Sequence, residues 1–479
     1  MNLRDFFASV AGELIAPSNK CLKCCSPATQ LPVGRVAALQ AKDAVRALCA
    51  AEKALPRWAL LPVAQRADWM VKLADALEQR CDEVVDVLMA ETGKPLGNAQ
   101  YDFSMLVDCL RFYAREVQLQ TDQNVPDHEG VRQHTLISEP RGVVVGFLAW
   151  NFPLLNVGYK IGPALAAGCP IILKPSSVTP LATTLVGEIA HQIGFPTGVL
   201  QIVTGSASVL GPVLCESKIP AMITMIGSTK SGCQVMQASA TSVKHFSLEL
   251  GGNAPVLVYP DADIDLAVSL MTGLKYENCG QICVSPNRVF IHEDVYDAFV
   301  TQAAAAAKAV KLGWGREPGI KMGPLMTARD RDRFLNWINQ SVDQGATLLC
   351  GGRVPQGKAF EKGYWVEPTV LGDVRPGHIV YDREVFGPVL SCIRWKDGED
   401  EIAMANDTEF GLAAYVFTRN TATAEHAARH IRAGNICLNE VYYDLSLPHG
   451  GMKQSGVGYD CSAAALGEYR VQKRVTKRL

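Results

Sequence analysis

Three short stretches of the chain carry side chains suited to acyl chemistry. Cys283, in Asn278-Cys279-Gly280-Gln281-Ile282-Cys283, has glycine and polar neighbours and precedes a β-branched run, where a turn can bring a thiol close to a substrate. Once deprotonated, a thiol is a strong nucleophile toward a carbonyl carbon. Glu249, in Phe246-Ser247-Leu248-Glu249-Leu250-Gly251-Gly252-Asn253, is a carboxylate in an apolar run before two glycines. Burial there raises its pKa toward a value useful to a general base. Asn151, in Ala149-Trp150-Asn151-Phe152-Pro153, is an amide between aromatics, read as lying at the C-terminal end of a strand, where it can donate to a developing oxyanion. Read singly, each has a structural alternative: a small buried thiol, a capping or ion-paired carboxylate, a turn asparagine. Together they outline a nucleophile, a base and an oxyanion donor.

Elements able to position these residues follow from the hydrophobic pattern. Residues 41–115 show helical spacing, as in Leu73, Leu77 and Val84, with breaks at Pro56, Pro62 and Gly93-Lys94-Pro95. A polar stretch then leads into an alternating segment, 131–138, that suits an exposed strand. From 142 to 257, β-branched runs at 143–145, 170–173, 200–203 and 221–225 alternate with stretches long enough for crossover helices, the mark of a parallel sheet covered on both faces. A second set follows Gly251-Gly252, with runs at 254–258, 288–291, 366–371, 388–393, 415–417 and 435–438. The expected fold class is α/β, with two α/β domains.

Composition removes several function classes. The 479 residues allow two to four domains at about 100–200 residues each. Lys+Arg 46 against Asp+Glu 48 gives a formal net charge of −2, so no global positive field gathers nucleic acid or an anionic membrane surface. No apolar run approaches the ~20 residues that span a bilayer. The 15 cysteines are odd in number and the start lacks a secretory pattern, which points to a reduced, cytoplasmic setting rather than a disulfide framework. Cys21-Leu22-Lys23-Cys24-Cys25 lacks a second Cys/His pair at knuckle spacing, so no metal site is expected. None of the 9 histidines sits in a motif that would pair it with the thiol, as a cysteine hydrolase would require.

Taken in order, the motifs resemble those of the aldehyde dehydrogenase superfamily, of the NAD(P)-dependent, non-acylating kind. The resemblance runs from about residue 26 to the C-terminus, through Trp150-Asn151-Phe152-Pro153, Lys174-Pro175-Ser176, Gly227-Ser228-Thr229, Glu249-Leu250-Gly251-Gly252, Gly280-Gln281-Ile282-Cys283, Glu384-Val385-Phe386-Gly387-Pro388 and Gly450-Gly451-Met452-Lys453-Gln454-Ser455-Gly456. It implies a Rossmann-like cofactor domain over residues 1–117 and 141–251 and a catalytic domain over 252–446 that carries the nucleophile. A β oligomerisation arm over 118–140 and 462–479, with assembly as a homodimer or tetramer, is implied too.

The resemblance also implies the chemistry. Cys283 attacks a small aliphatic aldehyde or semialdehyde, Asn151 and the Cys283 N–H hold the oxyanion, and Glu249 activates the water that releases the acid. Lys160, with Asp460 where many relatives carry Glu, belongs to a proton-relay network. Lys174, Ser177, Trp150, Gly211, Ser228, Glu384 and Phe386 line the cofactor site, Gly211 within a glycine-containing turn. Tyr101, Met105, Tyr159 and Glu277 line the substrate tunnel. Ser177 stands where NAD-preferring relatives often carry Glu, so NADP is expected to be accepted, with a preference for NADP and dual use of NADP and NAD as the two alternatives. Many succinate-semialdehyde relatives carry Arg at the position of Tyr159, which leaves succinate semialdehyde, lactaldehyde and aminobutyraldehyde as open substrates. Asp102 and Glu277 lean toward an amino-aldehyde. A CoA-acylating enzyme and a non-catalytic structural or binding relative are the alternatives; the presence of Glu249, Cys283 and Asn151 argues against both.

Overall fold

The computed structural model describes residues 3–479. Strands Val143–Phe147, Ile171–Lys174, Leu200–Ile202, Pro220–Ile226 and His245–Glu249 pair in parallel. Alternate residues feed opposite faces, as a pleated strand demands. Val144, Ile171 and Leu173 join a core with Met70, Leu106 and Ile161, while Val143, Val145 and Ile172 join one with Leu48, Leu210 and Leu214. The order across the sheet is His245–Glu249, Pro220–Ile226, Val143–Phe147, Ile171–Lys174, Leu200–Ile202. Growth thus reverses direction between Val143–Phe147 and Pro220–Ile226, and a reversal of this kind opens a crevice at the carboxyl ends of the two strands.

Leu250-Gly251-Gly252-Asn253 carries the chain from this sheet to Ala254–Val258 in a second one. There Thr369–Gly372, Val389–Trp395, Pro286–His292, Ala254–Val258, Ala413–Phe417 and Asn435–Leu438 lie parallel in that order. Two details depart from the sequence reading. Thr347–Cys350 adds an antiparallel edge strand that was not anticipated. The run expected from 366 pairs only from Thr369 onward, since Pro368 just ahead of it has no N–H for a ladder. The α/β class with parallel sheets is as expected.

Three further features lie outside these sheets or at their edges. Gln123–Val125, Arg132–Pro140 and Arg470–Arg478 form a three-stranded antiparallel sheet, in register from Arg470↔Pro140 to Arg478↔Arg132. Residues 4–37, for which no strand was anticipated, supply Arg4–Phe6, Cys21–Cys25 and Pro32–Ala37 as a small sheet, and Ala8–Val10 and Glu13–Ile15 as an edge of the first large one. On Cys21–Cys25, Cys24 is buried and Cys25 exposed, as strand alternation requires, and all 15 cysteines are free. At the other edge, Gly456–Val457 pairs with His245–Glu249. Among the described residues no helix is long and apolar enough to cross a membrane, and no three His, Cys, Asp or Glu side chains are grouped to hold a metal ion.

Candidate active site

Asn151 does not end a strand, as the sequence suggested; it sits four residues beyond Phe147, in the turn before helix Pro153–Ala167. Pro153 at the first helical position is pre-set for that start. The turn is clamped from helix Leu96–Leu119. Asp102 Oδ1 accepts the Leu154 and Leu155 N–H groups at 3.1 and 2.7 Å, while Oδ2 pairs with Lys94 Nζ at 2.6 Å. Lys94 Nζ also lies 3.9 Å from the Phe152 ring centroid. The Lys94 and Asp102 side chains are 1% and 0% exposed, and removing one member of such a pair generally costs about 3–5 kcal/mol. Asp102 is therefore spent on architecture, which corrects its expected role in recognising an amino-aldehyde.

The loop bearing Cys283 is bolted to this turn. Asn151 Nδ2 donates to the Gln281 carbonyl at 3.1 Å and Asn278 Nδ2 to the Asn151 carbonyl at 3.0 Å. Gln281 spans the loop, with Nε2 donating to the Asn278 carbonyl at 2.8 Å and Oε1 accepting the Met326 N–H at 2.9 Å. Asn278 and Cys279 both have positive φ, 44° and 58°, strain that clusters at functional sites and persists only where surroundings enforce it. Cys279 is buried in the second core. A side chain on Gly252 would collide with the Cys283 carbonyl oxygen, which explains the second glycine after Glu249. Burial pushes the half-buried Cys283 thiol up, as do the Glu249 and Glu384 charges, while the N–H groups of Cys283 and Val284 oppose them. The thiol rests protonated, with two backbone donors beside the sulfur.

Glu249 ends its strand buried, and among the described residues neither of its oxygens has a hydrogen-bond partner. Burial, and next the Asp460 charge, hold its carboxyl well above the ordinary range; Lys160 opposes them. Lys160 Nζ pairs with both Asp460 oxygens at 2.6 and 2.7 Å, each side chain 0% exposed. The sequence reading missed His449, whose Nε2 is 3.8 Å from Glu249 Oε2. It also missed a hydroxyl pair: Tyr415 donates to the Val284 carbonyl at 2.8 Å and lies 2.7 Å from the Tyr443 hydroxyl. Two hundred residues separate His449 from this carboxylate, and the pairing of Gly456–Val457 with His245–Glu249, with the Leu250 N–H donating to the Ser455 carbonyl, brings their segments together.

A cleft of about 820 Å³ opens at the strand reversal and reaches Cys283, with Lys174, Ser177, Ser228, Glu384 and Phe386 in its wall. Lys174 is buried without a counter-ion; its Nζ donates only to the Pro175 carbonyl at 3.1 Å, and burial pushes its pKa down to about 8. Ser228 caps helix Thr229–Ala238, whose start favours a phosphate. Trp150 and Phe386 meet edge to face at 5.4 Å. Glu384 Oε1 accepts the Gly252 N–H at 3.0 Å, and burial lifts its carboxyl to about 7. Ser177 donates to the Gly205 carbonyl at 3.0 Å. Gly211 lines the same cleft, but from inside helix Ala207–Glu216 and not from a turn. Arg333, from helix Ala328–Asp343, lines the cleft unforeseen. An unpaired buried cation, a capped helix start and an aromatic wall suit a nicotinamide dinucleotide.

The four tunnel residues are only partly united. Tyr101 and Met105 share a face of helix Leu96–Leu119, Tyr101 being exposed and Met105 half-buried. Burial, and then the Glu277 charge, push the Tyr101 hydroxyl up to about 12. Tyr159, one residue before Lys160, is raised by burial and by neighbouring Cys461. Glu277 instead lines a separate cavity of about 410 Å³ and accepts from Asn98 Nδ2 at 3.4 Å.

The doubly wound sheet and its cleft are those of an oxidoreductase that works with a nicotinamide dinucleotide. Residues 15–475 match the model of the aldehyde dehydrogenase family, and the chain belongs to that family. It is 36% identical over 464 residues to a glutarate-semialdehyde dehydrogenase of Pseudomonas putida, covering 96% of this chain and 95% of the relative. A succinate-semialdehyde dehydrogenase [NADP(+)] of Escherichia coli is 34% identical, with 96% and 95% covered. The crystal structure of lactaldehyde dehydrogenase from Escherichia coli superposes with a TM-score of 0.95 at 31% identity, covering 99% of each chain. The resemblance read from the motifs is thus borne out, and the chain is an NAD(P)-dependent aldehyde dehydrogenase.

Proposed function

We propose that Cys283 is the nucleophile, Asn151 the oxyanion donor and Glu249 the hydrolytic base in the oxidation of a small polar aldehyde to its acid. The observation that carries this reading is that Cys283 and Asn151 line the dinucleotide cleft while the donor-free Glu249 carboxyl lies near enough for its charge to act on the thiol. Cys283 Sγ passes its proton to solvent water and bonds to the carbonyl carbon as the C=O pair moves onto oxygen, giving a thiohemiacetal whose oxyanion lies between Asn151 Nδ2 and the Cys283 N–H. A donor of this kind is worth ~100- to 1,000-fold in rate. Bound NAD(P)⁺ supplies the two-electron acceptor. The acyl group then remains on Cys283 as a thioester, which water cleaves as Glu249 takes its proton. Lys160 and Asp460 keep a fixed charge pair beside that base. A CoA-acylating enzyme has no need of a buried base beside its thiol, which disfavours that alternative.

Substrate and cofactor choice rest on charge. Tyr159 stands where an arginine would grip a substrate carboxylate, so the far end of the aldehyde is taken to be neutral or cationic, unlike the semialdehydes in the relatives' names. Lys174 lacks a counter-ion and Ser177 is uncharged, which supports a 2′-phosphate and hence NADP. One experiment tests both: kcat/KM for lactaldehyde, glycolaldehyde, aminobutyraldehyde and succinate semialdehyde with each cofactor. We expect succinate semialdehyde to trail and NADP to equal or exceed NAD; a tenfold lead for succinate semialdehyde, or for NAD, overturns the corresponding half. Ser177→Glu should move the ratio toward NAD, because like charges ~4 Å apart repel by about 4 kcal/mol at an effective dielectric near 20.

The arm supports self-association. Arg470–Arg478 is an edge strand with one side unpaired in the single chain, and such edges are normally covered. A dimer or tetramer is expected by light scattering; a stable monomer at assay concentration overturns it. Free thiols throughout support a reducing, cytoplasmic setting.

A further inference from the structure

We propose that His449 is a positioning residue for Glu249, donating its Nε2–H to the carboxylate and so keeping it a working base at neutral pH. The proposal rests on the reading of Glu249 as the hydrolytic base.

Three observations carry it. First, Glu249 is the one buried carboxylate at the site with no donor on either oxygen, whereas Asp460 and Glu384 have theirs. A buried carboxyl without donors is costly and stays protonated. Second, His449 Nε2 is 3.8 Å from Glu249 Oε2, within one side-chain adjustment of a hydrogen bond, and the imidazole has no hydrogen bond to another group among the described residues. Third, the backbone that carries the ring is fixed, so a small side-chain rotation is all the contact needs. The His449 N–H donates to the Asp460 carbonyl at 2.8 Å and the Asp460 N–H returns to the His449 carbonyl at 2.7 Å. The Tyr443 ring flanks the imidazole edge to face at 5.8 Å.

The charge state agrees. Facing Glu249 are Lys160 from helix Pro153–Ala167, Asp460 and Cys461 from the C-terminal loop, and Cys283 from the nucleophile loop. Lys160 spends two of its three N–H groups on Asp460 and makes no hydrogen bond to Glu249 among the described residues, acting on it through its charge. Burial, and then the Lys160 charge, push the His449 imidazole down to about 4. The ring is therefore neutral across the working range and has one N–H to give. Donation to the carboxylate favours its charged form and lowers the pKa of Glu249; losing the donor raises it.

The test is the pH profile of steady-state turnover in the full-length enzyme, with the pre-steady-state burst of reduced cofactor recorded alongside. Only ionised Glu249 activates water, so turnover rises with pH through its pKa. His449→Phe should move that rising limb to higher pH by about one unit with the burst amplitude unchanged. His449→Gln, which returns an N–H near the same place, should bring the limb back. If His449→Phe leaves the limb in place, or if His449→Gln fails to restore it, the proposal is overturned. If Glu249→Gln has no hydrolytic defect, the underlying reading fails instead, so the two failures are distinguishable.

Discussion

Cys283→Ala abolishes aldehyde oxidation, with kcat/KM falling at least ~1,000-fold, while the protein still folds and binds NADP. The size follows from the role: without sulfur no covalent intermediate forms, and loss of a nucleophile removes most of the catalytic advantage of such a site. Folding is spared because the side chain is half-buried at the cleft and the loop is held by Asn151, Asn278 and Gln281, not by the thiol. Cofactor titration by fluorescence and stopped-flow absorbance of reduced cofactor check the two halves. Residual activity within tenfold of the wild type would remove Cys283 from the chemistry.

Glu249→Gln separates the two halves of the reaction. The amide fits the same space but takes no proton, so the acyl group stays on Cys283. A burst of reduced cofactor equal to the number of sites is expected, followed by turnover slowed ~100- to 10,000-fold. Turnover of the wild type should climb as pH passes the raised pKa of Glu249, since burial and the Asp460 charge keep the carboxyl protonated below it. The variant should be flat over that range. Loss of the burst together with turnover would assign Glu249 to attack by the thiol instead of to hydrolysis.

What could be read from the chain followed burial and spacing. The strand Val143–Phe147 is buried at every position, and continuous β-branched runs of this kind stand out in a sequence. Cys283, Glu249 and Asn151 stand out as candidates because each lies beside glycines, prolines or aromatics in a local string. The three-residue strands near the N-terminus do not stand out, since a segment that short has no measurable period. His449 and Arg333 reach the site from distant elements, and no local pattern marks them. Asp102 was misread because a carboxylate suited to recognition was serving as a clamp on a helix start, and Gly211 lines the cleft from inside a helix where a turn was expected.

Lys160 and Asp460 are 300 positions apart and meet as a sealed pair. Both large sheets can be laid down before Asp460 is synthesised, yet the surroundings of the base are complete only when the segment with His449, Gly456–Val457 and Asp460 docks on His245–Glu249. That docking closes a very long loop, whose entropy is paid late in folding. The thiol loop, by contrast, is fastened to the Asn151 turn by contacts made well upstream. On the roles proposed for Cys283 and Glu249, the nascent enzyme then acquires the means to capture an aldehyde before it acquires the means to let the acid go.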